Sequence, residues 1–367
     1  MISLYIHIPF CQRKCFYCSF VVAIGQDDRI DSYLECLTQE AEKHPSTPLK
    51  TIYVGGGTPT HMNLKQLERL FAILRSTFQF SPDCEFTIEA NPEGLELVKA
   101  KFLRDSGVNR VSLGVQSLND SYLKYLGRVH DARQAIIAFE NLRKAGFANI
   151  NLDLMYSFPG QTFEEIERDV KAIVALGSEH LSLYTLTIEE NSKFYARRLK
   201  LDEGEIQAWQ YQLVVSLLKP TEFEQYEISN FAKSDCRSRH NLNYWEGGDY
   251  IGLGVGSHSH LQGRRSWNVS KTAAYMSRIK DGESPLEGEE WLPPSEQLRE
   301  RILFGLRMNQ GIDVPALSRT VGVSLDSDGK EKITQLIEGG FLFWEDSRLC
   351  ATDKGRMVLD EIGALLI

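Results

Sequence analysis

At 367 residues, with 42% hydrophobic and 25% charged side chains, the chain can bury one barrel-sized core and a smaller second one. Its formal charge of -9 argues against nucleic acid as the main partner, because phosphate binding needs a basic face. The opening residues lack the basic segment and apolar run of a signal peptide. No apolar stretch approaches the ~18 residues of a membrane span, so a cytoplasmic chain without a transmembrane segment is expected.

The first half alternates β-rich runs with amphipathic stretches. The runs are "ISLYIHI" from Ile2, "TIYV" from Thr51, "EFTIEA" from Glu85, "NRVSLGV" from Asn109, "NINLDLMY" from Asn149 and "HLSLYTL" from His180. Between them Leu67, Leu70, Phe71, Leu74 and Phe78, then Ile136, Phe139 and Leu142, recur at the helical period. Six β/α units in series require a parallel sheet with helices outside it. The alternation stops near Pro220, short of a closed eight-unit barrel. The expected fold is therefore α/β, an open partial (β/α)6 TIM-like barrel over residues 1–220. Residues 221–285 are expected to complete the barrel, and "DGESPLEGEEWLPPSEQ" from Asp281 reads as the linker out of it. The remainder, 286–367, reads as three helices and a β-hairpin, a smaller winged-helix-like domain. Residues 296–367 carry nine Lys/Arg against twelve Asp/Glu, and the would-be recognition helix holds Glu331 and Glu338. Packing or protein docking is expected there, not DNA binding.

The stretch "YIHIPFCQRKCFYCSF", residues 5–20, holds three of the seven cysteines in eight positions. In a reducing compartment such a cluster signals metal rather than disulfides. The C-x3-C-x2-C spacing of Cys11, Cys15 and Cys18 supplies three thiolates to a 4Fe-4S cluster and leaves one iron open. A zinc site with His7 as fourth ligand is the alternative. Cys36, Cys84, Cys236 and Cys350 stand alone and read as inert thiols. Barrel chemistry sits at the C-terminal ends of strands, where this sequence places "GGGTPT" from Gly55, then Glu89, Gln116, Asp153 and Thr187. The glycines allow a ligand to approach backbone closely, and no Gly-Lys-Ser/Thr ending follows to make a P-loop.

The stretch "RHNLNYWEGGDYIGLGVGSHSH", from Arg239, sets His240 beside Tyr244 and Trp245, an imidazole for iron next to flat aromatic faces. The plainer alternative is that His240 caps a loop and the aromatics fill core. His258 and His260 are the alternative ligands, and "GLGVG" does not fit a dinucleotide loop.

The cysteine motif on the loop after the first strand resembles that of the radical S-adenosylmethionine (SAM) proteins. The resemblance implies that SAM chelates the open iron and that reduction cleaves it to methionine and a 5'-deoxyadenosyl radical. The blocks "YIHIPFC", "GGGTPT", "EANPE", "NRVSLGVQSLND", "LGRVHD", "NLDLMYSFPGQT", "YEISNFA" and "RHNLNYW" are together similar to the coproporphyrinogen-oxidase-related group, in its HemW heme-chaperone branch. By that resemblance Tyr5 flanks the cluster, Gly56, Gly57 and Thr58 line the SAM site, and Glu89 bonds the methionine or ribose end of SAM. Gln116, Arg128 and Asp153 match contacts to a second SAM in the oxidases, and His240 belongs to a block associated with heme. Ser19 and Ser157 depart from the branch, which usually has Asp and Gly there. The implied partners are heme or porphyrin, an electron donor such as flavodoxin or ferredoxin, and an acceptor hemoprotein, including one on a membrane side. The second reading is an anaerobic coproporphyrinogen III oxidase. It would be expected to carry a longer N-terminal extension and a CxC continuation, whereas four residues precede Tyr5 and Phe20 ends that continuation.

Overall fold

The structure is a computed structural model that describes residues 1–44 and 48–366. Six parallel strands lie side by side in chain order: β1 (Ile2–Ile8), β2 (Leu49–Gly56), β3 (Phe80–Ala90), β4 (Arg110–Gln116), β5 (Ile150–Tyr156) and β6 (His180–Thr185). Each of the six matches one of the runs read from the sequence. Helices α1 (Ile30–Ala41), α2 (Leu64–Thr77), α3 (Leu97–Asp105), α4 (Ala132–Lys144) and α5 (Phe163–Ala175) fill the crossovers. Three start on capping boxes, Asn63 with Gln66, Asp131 with Gln134 and Thr162 with Glu165, which satisfy the free amides of the first turn. Alternation sorts the strand side chains. In β4, Val111, Leu113 and Val115 join the main core, whereas Arg110, Ser112, Gly114 and Gln116 face the hollow of the curved sheet.

The sheet continues past both ends of this set. Beyond β6 runs antiparallel Asn230–Ala232 and then Glu224–Gln225. Beyond β1 comes a further parallel strand, Tyr250–Leu253, followed by antiparallel His258–Leu261, Arg264–Asn268 and Leu286–Trp291. Residues 221–285 thus extend the two edges of the sheet and do not close it. The Leu286–Trp291 strand, expected in the second domain, belongs to this sheet; it is almost wholly exposed, so no apolar pattern marks it. One buried carboxylate ties the extension down. Glu40 of α1 accepts hydrogen bonds from the Gly254 amide, Asn268 Nδ2 and Tyr275 Oη at 2.6–2.8 Å.

After α6 (Gly204–Leu218) and α7 (Arg239–Trp245), the second core begins. It gathers Leu298, Ile302, Leu306, Leu317, Ile333 and Leu349. Helices α8 (Pro294–Leu306), α9 (Val314–Val321) and α10 (Ser327–Glu338) and the hairpin Leu342–Glu345 with Arg348–Ala351 follow winged-helix order, with Ile312–Asp313 as a third strand. Two helices absent from the sequence reading end the chain, Asp353–Met357 and Leu359–Leu366. Arg307 joins the two units: its guanidinium lies 3.5 Å from the buried Glu227 carboxylate and covers the Trp245 ring at 4.4 Å.

Candidate cluster and cofactor site

A cavity of about 790 Å³ occupies the hollow of the sheet. Cys11, Cys15 and Cys18 line it at the strands' C-terminal rim, and Arg307, Arg356 and Leu359 of the second unit line it elsewhere. The cysteine loop is clasped where Phe10–Cys11 pairs with Ala23–Ile24.

A ring of hydrogen bonds fastens two of the cysteines. Asn91 Nδ2 donates to Thr58 Oγ1 at 2.9 Å, and Thr58 Oγ1 shares a hydrogen bond with Cys11 Sγ at 2.8 Å, in which the hydroxyl is the donor once the sulfur is a thiolate. Arg128 Nη2 donates to Asn91 Oδ1 at 2.7 Å and Nη1 to Cys15 Sγ at 3.5 Å. Thr58 and Arg128 therefore stabilise sulfur that carries negative charge. Without a cation Cys11 and Cys18 hold their protons: burial pushes Cys11 up, and Cys18 up to about 11. A cluster must displace those protons.

Glycine at 56 and 57 is dictated by space. Gly56 has φ +109°, and a Cβ there would lie 2.5 Å from the His7 ring; at Gly57 it would lie 2.7 Å from Pro9 backbone. The two segments are stitched by Gly57 N to Ile8 O and Thr58 N to Phe10 O. His7 has both nitrogens in use, Nδ1 to Tyr5 Oη at 3.0 Å and Nε2 to Val21 O at 2.8 Å. It is a scaffold for the loop, and with both nitrogens engaged it has none to offer as the fourth ligand of a zinc site.

Below the rim two carboxylates face the same cavity. Glu89 accepts from Tyr53 Oη at 2.8 Å and the Gly56 amide at 3.0 Å, and burial pushes it up to about 7. Asp153 accepts from Asn151 Nδ2 at 2.7 Å and more loosely from Ser112 Oγ, and burial pushes it up to about 6. Such groups suit a cationic, hydroxyl-bearing ligand, whose charge offsets their desolvation. Gln116 closes β4 in the left-handed region, φ 69°, at a register shift that aims it into the cavity. Ser157 is also left-handed, φ 62°, a conformation that favours glycine; its Oγ donates to buried Gln210 Oε1 at 2.6 Å.

The sequence-expected residues Cys11, Cys15, Cys18, Gly56, Gly57, Thr58, Glu89, Gln116, Arg128, Asp153 and Thr187 share this one cavity. Two others do not. Tyr5 lines a separate, smaller cavity with His7, although it shares the hollow-facing side of the sheet with its β2 neighbour Tyr53, against which its ring stacks. His240 is 1% exposed beneath the hollow, its Nδ1 against Thr51 Oγ1 at 2.8 Å and its Nε2 against Tyr244 Oη at 2.9 Å. Burial pushes it down to about 3, and as placed it presents no nitrogen to an iron. The sequence reading missed Asn91, Arg110 and Ser112. Alternation within "NRVSLGVQ" and the "EANPE" block were the signals available for them.

An open (β/α)6 sheet with three cysteines after its first strand and a glycine turn after its second defines a radical SAM protein. Residues 5–173 match the radical SAM superfamily and residues 292–358 the HemN C-terminal domain. A heme chaperone HemW from Bacillus subtilis is 38% identical over 100% of this chain and 99% of its own length. Its Lactococcus lactis counterpart is 37% identical over 96% of this chain and 94% of its own length. The coproporphyrinogen III oxidase HemN structure from Escherichia coli superposes with a TM-score of 0.88 at 24% identity, over 100% of this chain and 89% of that one, a likeness of fold. The chain belongs to the HemW family of radical SAM proteins, a membership that implies a 4Fe-4S cluster and SAM.

Proposed function

We infer that this chain is a heme chaperone that binds heme and delivers it to acceptor hemoproteins. The observation that carries the reading is end-to-end likeness, at 37–38% identity, to proteins named heme chaperones. Cys11, Cys15 and Cys18 would hold the cluster, with Thr58 and Arg128 stabilising its sulfur ligands. Gly56, Gly57, Glu89 and Asp153 would hold SAM, and Gln116 and Arg128 border the space beside it. When bound, cluster and SAM supply one-electron cleavage of a sulfonium; the chain's own part is to orient SAM and limit water around it. A flavodoxin- or ferredoxin-like donor would deliver the electron. The seven free thiols suit a reducing, cytoplasmic setting, and no helix among the described residues is long and apolar enough to cross a membrane.

The test is product analysis under anaerobic conditions. With coproporphyrinogen III, SAM and reductant, no protoporphyrinogen IX is expected, while about one heme per chain is bound. Multiple turnovers of decarboxylation without heme uptake would overturn the chaperone reading in favour of the oxidase.

A further inference from the structure

A second cavity, of about 360 Å³, lies beside the main one, where Tyr5 and His7 of β1 line it, and is within the size range of ligand sites. Phe20 and Val21 of the cysteine loop line it together with Tyr5, Tyr244, Tyr250 and His258. Its surfaces are largely aromatic and apolar. Phe20 is 64% exposed, a large apolar side chain left in water at the lip.

The histidines around it differ in what their nitrogens do. His7 and His240 use both, as described, and His260 faces Gly248 O at 3.4 Å and the Asp249 carboxylate at 3.9 Å. His258 has no hydrogen-bond or ion-pair partner among the described residues. Its ring is steadied from the side by Trp267, with centroids 6.0 Å apart and planes at 27°, so both nitrogens stay available. Burial holds its pKa below the ordinary imidazole value, which keeps the ring neutral and able to ligate near pH 7. His240 then acquires a different part. Its bond to Tyr244 Oη fixes a ring that lines the groove, and Tyr244 meets Tyr250 edge-on at 4.7 Å.

We propose that heme is seated in this groove, with His258 as its axial iron ligand and His240 as a positioning residue for Tyr244. The proposal rests on the chaperone reading above and deepens it by naming where the cargo sits. A flat, largely apolar macrocycle matches aromatic walls, and a free imidazole facing an apolar cavity is the group a porphyrin iron requires. Ser19 and Phe20 border both cavities, so the groove adjoins the cluster without sharing its ligands.

The experiment titrates hemin into full-length wild-type, His258→Ala, His240→Ala, His260→Ala and Phe20→Asp proteins, reading the Soret band and affinity. His258→Ala is expected to shift the band and raise Kd about tenfold or more, with millimolar imidazole restoring the wild-type spectrum. Phe20→Asp is expected to weaken binding without shifting the band, while His260→Ala leaves both unchanged. His240→Ala is expected to keep the wild-type band, since the ligand stays in place. A wild-type band and affinity in both His258→Ala and Phe20→Asp would overturn the groove and point to a protein segment as its occupant. A band shift in His240→Ala but not in His258→Ala would equally overturn it and return the ligand to His240. Absence of heme binding by the wild type would overturn the chaperone reading and the groove with it.

Discussion

Asn91 shows how much of the cluster site depends on a residue that bonds to none of the three cysteines itself. Its amide bridges Thr58 and Arg128, which reach Cys11 and Cys15 in turn. Asn91→Leu is expected to retain cluster assembly, since three cysteines remain, but to lower the cluster potential by roughly 60 mV, about a tenfold change in a one-electron equilibrium. Protein-film voltammetry would measure it, and an unchanged potential would show that the ring is only structural. The carboxylates make a second prediction. Both are raised by burial, Glu89 to about 7 and Asp153 to about 6, so both are largely neutral at pH 5.5. A cationic sulfonium favours their ionised forms, so its affinity rises with pH through that window and levels off above about 7.5. Between pH 6 and 7.5 Kd for SAM on the reconstituted protein is expected to fall about tenfold, with somewhat less than one proton released per ligand bound on average. Calorimetry in buffers of different ionisation enthalpy reads that proton, and Glu89→Gln should remove most of the dependence.

The strands carry two messages, and only one was easy to read. The outward set in β4 and β5, Val111, Leu113, Leu152 and Leu154, announces buried parallel strands, and all six were legible. The inward set is polar: Arg110, Ser112, Asn151, Asp153, His180 and Ser182. It looks like solvated surface until the sheet is curled, which is why Ser112 and Arg110 went unread. The Tyr250–Leu253 strand was hidden for another reason. Four residues amid glycines give too short a period, and its place beside β1 is set by Glu40, two hundred residues away in sequence. The two faces should respond differently to substitution. Leu113→Ala is expected to cost about 3 kcal/mol of stability, with the cluster's absorption unchanged in the folded fraction. Ser157→Ala is expected to cost about 1–2 kcal/mol, because it leaves the buried Gln210 Oε1 without its donor. Chemical denaturation of both variants checks these values.

At the scale of the molecule, the second unit is part of the main cavity's wall. The winged-helix order of helices and hairpin was readable from the sequence, whereas the last two helices and their approach to the barrel were not, since contacts between units leave no periodic trace. Arg307 holds them together. Arg307→Ala leaves the Glu227 carboxylate buried with only Ser229 N and Asn230 Nδ2 as donors, and uncovers Trp245. A loss of about 2 kcal/mol is expected, below the usual cost of breaking a buried pair because those donors remain and Arg307 is a quarter exposed. Thermal unfolding would detect it. His240 illustrates the same limit of sequence reading: its neighbours Tyr244 and Trp245 were visible, but that Thr51 and Glu85 would enclose it depends on α7 folding against β2 and β3.

The central claim is that this radical SAM chain carries heme in order to give it away. The measurement that tests it most directly is transfer: protein loaded with one heme per chain, mixed anaerobically with an apo-hemoprotein, separated and assayed for heme on each partner. Heme is expected to appear on the acceptor in near-stoichiometric amount and faster than from free hemin at equal concentration. Heme that stays on the chain, or reaches the acceptor no faster than free hemin does, would contradict the claim.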